Sequence, residues 1–301
     1  MMKNIKSWLV LTLLLFSVIS ISNAGPEVKP SILHPKGLLW KIEKSAKPAS
    51  YLYGTMHVSD SRVTRLAAPV EQAFKWADHF VMEVLMNFEA IGYVSRISFF
   101  DDGRTLSGVM GKSDYGRLTR LLNKRIFIAQ DVINNMKPWA VLMLLMLPAD
   151  QQTQTEPALD MVLFKRATQR KLQVTGLETV QEQIGIFESM EMKDQLWLLN
   201  RAIKDIDTTD ALFPQMLDAY INRDLDRLVN IQSEFMYPDS DIDDRFMHQL
   251  LDVRNVRMVN RLSPVLKQGK AFIAIGALHL PGKGGVLDLL EAQGYKITPV
   301  Y

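Results

Sequence analysis

One short pattern occurs twice, near opposite ends of the chain. Gly54-Thr55-Met56-His57 follows the strand-like run Tyr51-Leu52-Tyr53, and Gly276-Ala277-Leu278-His279 follows Ala271-Phe272-Ile273-Ala274-Ile275. Helical spacing comes next in both places: Val63, Leu66, Ala67, Val70, Ala73 and Phe74 recur within 62–76, and Val286–Ala292 is a shorter amphipathic stretch. Each helix leads to another strand, His79-Phe80-Val81-Met82-Glu83-Val84 in the first copy and residues 295–300, after Gly294, in the second. A repeated strand, glycine turn, helix and strand reads as a duplicated βαβ unit. Neither copy has enough strands for a stable sheet of its own, so the pattern predicts an α/β fold with one mixed central sheet drawn from both ends. Residues 38–42 and 51–53, separated by a turn containing Pro48, add a hairpin.

Between the copies, helix-period apolar positions recur over 113–122, 140–147, 157–170, 193–206, 209–222, 225–234 and 242–262. One strand interrupts them: Leu172-Gln173-Val174-Thr175 runs into Gly176-Leu177-Glu178. The expected organisation is therefore an N-terminal half of the core at 37–106, a mainly helical insertion at 107–265 holding a core strand at 172–178, and a C-terminal half at 266–301. Ahead of these, Lys3 and Lys6 precede an apolar run from Trp8 to Ile21, and Ser22-Asn23-Ala24 supplies the small residues of a cleavage site. Residues 1–24 read as a signal peptide cut after Ala24, followed by a linker at 25–36. The run is about 21 Å long as a helix, short of the roughly 30 Å hydrocarbon core, so no stable span is expected after cleavage. The apolar stretch 139–147 is shorter still and ends at Pro148, which suits a buried helix. A bacterial periplasmic or secreted location follows.

With Lys3 and Lys6 set aside, basic and acidic residues balance at 33 each, which argues against a nucleic-acid partner held by phosphate neutralisation. The absence of cysteine removes disulfides, thiolate metal sites and cysteine nucleophiles. No Gly-x-Ser-x-Gly elbow, Walker loop, His-Glu-x-x-His helix or Rossmann glycine fingerprint occurs either.

Loops that follow parallel strands gather at one sheet edge, where ligands bind. His57, Glu178 and His279 lie just past such ends, and Glu83 lies near the end of its own strand. Two imidazoles and two carboxylates converging there suit a divalent metal such as Mn, Co, Zn or Fe, with positions open for water and substrate. Each residue also has a plainer reading. Taken singly, either histidine serves as a loop residue bonded to backbone, and recurrence of the motif in matching contexts is what points to chemistry. Glu83 sits among Val81, Met82, Val84 and Leu85, where burial asks for a cation, yet alternation equally turns it to solvent on an edge strand. Glu178 also fits an N-cap-region acid for a helix from Val180 to Ile186, and Asp160 a first-turn acid of its own helix. Arg254, with Arg257 and Arg261 at i+3 and i+7, forms a stripe that is either solvated or presents a guanidinium to a substrate oxyanion. His34, His79 and His248 carry no catalytic expectation.

The combination of Gly54-Thr55-Met56-His57, Glu83, Leu159-Asp160, Gly176-Leu177-Glu178-Thr179 with Gln183, Arg254-Asn255 and Gly276-Ala277-Leu278-His279-Leu280-Pro281-Gly282 resembles the TraB/GumN family. That family includes the pheromone-shutdown proteins and is similar to the Tiki metalloproteases and, more remotely, to erythromycin esterases and ChaN-like haem-binding proteins. The resemblance covers residues 36 to 301, and the family's paired histidines and acids, its proposed active-site set, fall on His57, His279, Glu83 and Glu178. It implies an activity like that of the Tiki members, which look like Mn- or Co-dependent peptidases.

The expectation that follows is a metal-dependent hydrolase acting on a peptide or amide bond. His57, His279 and one glutamate, Glu83, hold the ion; Glu178 is the general base; Arg254 assists; and Gly54, Gly276 and Asp160 support the motifs. Two alternatives stay open: a metal-free His/Glu esterase-like hydrolase, and a binding protein for a peptide or haem. The second would use Met136, Met143, Met146, Met190, Met192 and Met216 as an adaptable groove, although core filling explains such methionines equally well.

Overall fold

Strands form where β-branched and aromatic residues run together, and six such runs pair into one sheet in the computed structural model, which describes residues 32–44, 47–125, 128–146, 156–234 and 240–301. The expected signal peptide at 1–24 lies outside the described residues, as does most of the linker. The strands are β1 (Leu39–Glu43), β2 (Ser50–Thr55), β3 (His79–Val84), β4 (Gln173–Glu178), β5 (Ala271–Gly276) and β6 (Lys296–Pro299), in the order β4-β3-β5-β2-β1-β6. β4, β3, β5 and β2 run parallel, whereas β1 is antiparallel to both β2 and β6, so the sheet is mixed. β5, from the end of the chain, lies between β2 and β3 from the beginning, and the first five of its six residues are buried. Strands sandwiched on both faces read as continuous apolar runs for this reason.

The described residues fall into two compact units, numbers 86–146 with 180–213, and numbers 32–85 with 156–179 and 214–301. The second holds the whole sheet. Its helices include α1 (Ala68–Trp76), α2 (Leu159–Gln169), α3 (Val253–Gln268) and α4 (Val286–Ala292). Phe74 of α1 meets Phe80 and Phe272 at ring-centre distances of 6.0 and 5.2 Å, fastening the helix over β3 and β5. The first unit is helical. Pro138–Leu145 is buried along its length and packs against Met192–Lys204, and Glu188 accepts from Lys137 Nζ at 2.5 Å and Trp139 Nε1 at 2.6 Å. Met136, Met143, Met146 and Met216 are buried, as core filling requires, while Met190 and Met192 are half-buried. Among the described residues no helix is long and apolar enough to cross a membrane.

Three elements differ from the sequence pattern for identifiable reasons. The helix expected over 62–76 divides into Ser61–Thr64 and α1, with Arg65 and Ala67 extended, because Pro69 lacks an N–H and is accommodated in a first turn. The helix expected over 242–262 comprises Asp241–Met247, a π-helical turn at His248–Asp252, and α3, which runs on past Pro264. β4 holds Glu178 as its last residue rather than just past its end: pairing with β3 continues through Gly176 and Glu178. A Cβ on Gly176 would lie 3.2 Å from the Leu85 backbone nitrogen, so glycine here lets the neighbouring chain pass close by.

Candidate active site at the carboxyl edge of the sheet

Parallel register aligns the ends of four strands. Thr55 lies opposite Gly276, and Val84 lies opposite Glu178, so Glu178, Glu83, Gly276 and Thr55 follow one another along the rim. The glycines of the two motifs have a steric basis. A Cβ on Gly54 would stand 2.7 Å from Leu280 Cδ1 and 3.1 Å from Ala277 Cα, so the first motif packs directly on the chain of the second. A Cβ on Gly276 would crowd Glu83 Oε1 at 3.2 Å and His279 Cδ2 at 3.4 Å.

The two glutamates are buried and paired with arginines. Arg254 donates from Nη2 to Glu83 Oε2 at 2.6 Å and from Nε to Glu178 Oε2 at 2.9 Å, while Arg257 Nη1 donates to Glu178 Oε1 at 2.8 Å. The third nitrogen of Arg254, Nη1, reaches the Leu250 carbonyl at 3.3 Å. Glu83 Oε1 accepts the Gly276 N–H at 2.5 Å. Burial alone would raise the Glu83 carboxyl, but Arg254, His279, His57 and the Gly276 N–H outweigh it and hold it at about 2. Arg254 is therefore buried between carboxylates, Arg257 is half-buried and Arg261 is exposed, so the row is solvated only in part. It lies along the end of β4, where Arg261 Nη1 donates to the Leu177 carbonyl at 2.7 Å.

The histidines are held differently. His57, with 15% of its side chain exposed, places Nε2 3.2 Å from Asp160 Oδ2. Asp160 sits in the first turn of α2, is 5% exposed, and accepts from Thr55 Oγ1 at 2.7 Å through Oδ1. Its Oδ2 is buried with no hydrogen-bond partner, since the nearby His57 nitrogen is not aligned to donate. Burial pushes the Asp160 carboxyl up, against the pull of His57 and Thr55. His279 is 3% exposed, and its Nδ1 lies 2.7 Å from Asn255 Oδ1. Burial, with Arg254 adding to it, lowers the imidazole to about 3, which keeps it neutral near pH 7. Glu83, His279 and His57 lie close enough to interact electrostatically. Tyr220 Oη donates to the Gly54 carbonyl at 2.9 Å, bracing the first motif from behind.

His57, His279, Glu83, Glu178 and Arg254 thus share one rim, with Gly54, Gly276 and Asp160 beside them. Asp160, Thr55, Asn255 and Arg257 contribute more contacts than their sequence context suggests. A first-turn acid looks the same whether or not a histidine faces it, and the pairing of Asn255 becomes visible only when α3 is laid against the second motif. His79 lies at the opposite end of β3, bonded to Thr175 Oγ1 at 2.8 Å.

The donors suit a divalent ion in kind: two imidazoles and a buried carboxylate with one unsatisfied oxygen. Ligands at about 2.0–2.2 Å from a shared ion stand roughly 2.8–3.6 Å apart, and the unaligned 3.2 Å approach of His57 Nε2 and Asp160 Oδ2 falls in that interval. Among the described residues, however, no three His, Asp or Glu side chains are gathered into a ready ion-binding group.

Comparison with known proteins finds relatives that match over most of the chain. Zebrafish (Danio rerio) Metalloprotease TIKI1 is 27% identical over 308 residues, covering 86% of this chain and 62% of that protein. Xenopus tropicalis Metalloprotease TIKI2 is 26% identical with 86% and 59% covered, and human (Homo sapiens) Metalloprotease TIKI1 is 24% identical with 91% and 64% covered. The chain therefore spans about three fifths of the length of the curated relatives it matches. No solved structure matches it. The model of the TraB/PrgY/gumN family matches residues 38–299, nearly all of the described chain, and the protein belongs to that family.

Proposed function

We propose that this protein is an exported, metal-dependent hydrolase that cleaves a peptide or amide bond at the carboxyl edge of its sheet. The observation that carries the reading is the buried Asp160 Oδ2, which has no hydrogen-bond partner and stands 3.2 Å from a histidine nitrogen without the alignment of a hydrogen bond. A carboxylate and an imidazole aimed past each other in this way suit a shared cation better than an acid–base dyad, whose N–H would point at the oxygen. The names of the TIKI relatives support the same class of chemistry. His57, Asp160 and His279 would hold the ion, which when bound lowers the pKa of water and polarises a carbonyl. Thr55 holds Oδ1 of Asp160 and so directs Oδ2 toward His57. Glu83 and Glu178 keep Arg254 fixed between them, and Glu83 in turn keeps negative charge beside both imidazoles. This differs from the expectation that Glu83 is a ligand and Glu178 the base: the bonds to arginine and to the Gly276 N–H engage the carboxylates that those roles need. The basic, apolar and small-residue order of residues 1–24 supports export.

The test is metal analysis of the purified protein together with hydrolysis of a peptide library, for wild type, His57→Ala and Asp160→Asn. Loss of both bound metal and cleavage in each variant is expected. Metal content unchanged in both overturns the assignment. A metal-free hydrolase is the second reading, because among the described residues no third donor is gathered beside His57 and Asp160, and cleavage that survives exhaustive chelation would establish it.

A further inference from the structure

Asn255 has a role that its side chain alone defines. It is buried, and its Nδ2 donates to the Gly284 carbonyl at 3.0 Å. A carbonyl only accepts, so the amide nitrogen faces Gly284 and the amide oxygen faces His279 Nδ1, 2.7 Å away. That oxygen also only accepts, and the short contact is a hydrogen bond only when Nδ1 carries the proton. The far end of the chain of bonds is anchored as well. Gly284, at φ +77°, donates its N–H to Asp288 Oδ2 at 2.9 Å, and Asp288 belongs to α4. Gly284 is thus held through both its N–H and its carbonyl, and the amide of Asn255, with a carbonyl to face, turns its nitrogen to Gly284 and its oxygen to His279.

A neutral imidazole carries one proton and can place it on either nitrogen. His279 is buried, and its Nδ1 is the nitrogen that faces the Asn255 amide oxygen. We propose that Asn255 is a positioning residue that locks His279 in its Nδ1–H tautomer, so that Nε2 keeps its lone pair as the ligand or proton acceptor of the rim. The use made of Nε2 rests on the metal-dependent reading; the lock itself does not. A ligating histidine whose other nitrogen donates to a fixed acceptor is oriented and made more basic, and loss of such a partner weakens metal affinity about 10–100-fold.

The experiment is a long-range proton–nitrogen correlation spectrum of the full chain, labelled at histidine and treated with chelator, with the His279 signals identified by their loss in His279→Gln. The expected wild-type spectrum has a protonated Nδ1 and an unprotonated Nε2 at His279. In Asn255→Leu, or Asn255→Ala should the leucine variant not accumulate, the Nε2 signal moves toward the protonated position. In Asn255→Asp, which retains an acceptor, it stays. Titration of the same proteins with cobalt(II) should show affinity falling by about 10–100-fold in the apolar variant and less in the aspartate variant. A wild-type His279 protonated at Nε2 overturns the proposal, as does an unchanged tautomer in the apolar variant or a lost one in Asn255→Asp. If the tautomers behave as expected and no variant binds cobalt, the lock stands and the metal-dependent reading fails.

Discussion

Arg254→Leu is the most exposed consequence of the paired-glutamate arrangement. The guanidinium lies between Glu83 and Glu178, and all three side chains are nearly inaccessible to water. Holding Glu83 at about 2, against an ordinary 4.5, corresponds to roughly 3 kcal/mol of favourable interaction in its ionised form. Removing one partner of a buried ion pair costs about 3–5 kcal/mol, because the remaining charge stays buried and unmatched. Glu178 keeps Arg257, so the loss falls chiefly on Glu83. At pH 7 the variant should therefore unfold in urea with a stability lower by about 3–5 kcal/mol. The sign of the pH dependence provides a sharper check. In the wild type the folded carboxyl lies below its unfolded value, so its contribution is complete above pH 4.5 and is lost as pH falls toward 2. Without the guanidinium, burial is the largest influence left on Glu83 and raises it, so protonation relieves the variant first. The gap between the two proteins should narrow as pH drops from 7 to 5. A loss below about 1 kcal/mol at pH 7, the level of a surface pair, or a gap that widens on acidification, would refute the reasoning.

His279→Gln should reduce acid sensitivity: with the folded imidazole at about 3, the unfolded chain takes up its proton first, and the wild type loses about 2 kcal/mol between pH 7.5 and pH 5 through this residue. Urea midpoints measured at those two pH values check it, and equal acid losses in both proteins would count against a buried neutral ring. Gly54→Ala should destabilise by about 1–3 kcal/mol, since its Cβ has 2.7 Å to Leu280 Cδ1 and 3.1 Å to Ala277 Cα; an unchanged thermal midpoint would show that the two motifs are not in contact. Thr55→Val leaves Asp160 Oδ1 buried without its donor, and a loss of about 1–3 kcal/mol is expected from the same measurement. A neutral outcome would mean that Asp160 finds another partner.

The parallel part of the sheet was legible because burial on both faces turns β3 and β5 into uninterrupted apolar runs, and because a repeated Gly-x-x-His marks equivalent strand exits. Breaks within helices were less legible. Pro69 signals a helix start, and the division at 65–67 follows from it, but the π-turn at His248–Asp252 has no residue that announces it. The partners of the acids were hidden for a different reason. An i, i+3, i+7 row of arginines is the same pattern whether it lies in water or over the end of β4, and only the placement of α3 beside that strand decides. Glu83 illustrates the limit: its apolar neighbours asked for a cation, and the cation that answers, Arg254, is 171 positions away in the chain.

The position of α3 also explains where unmatched charge remains. Arg254 and Arg257, three residues apart, turn one face of the helix toward Glu83 and Glu178, while Asn255, one residue on from Arg254, points to His279. Two guanidiniums thus match two carboxylates, and α3 reaches the second histidine with a neutral amide. Asp160 belongs to α2, beside the first motif; Thr55 satisfies one of its oxygens and leaves the other without a hydrogen-bond donor. His57 Nε2 stands 3.2 Å from that remaining oxygen, and His57 is the histidine of the pair that opens to solvent. The asymmetry between the motifs follows: the second is fixed internally by Asn255, whereas the first keeps an incomplete carboxylate–imidazole pair at the more accessible end of the rim, the end at which the proposed ion would enter.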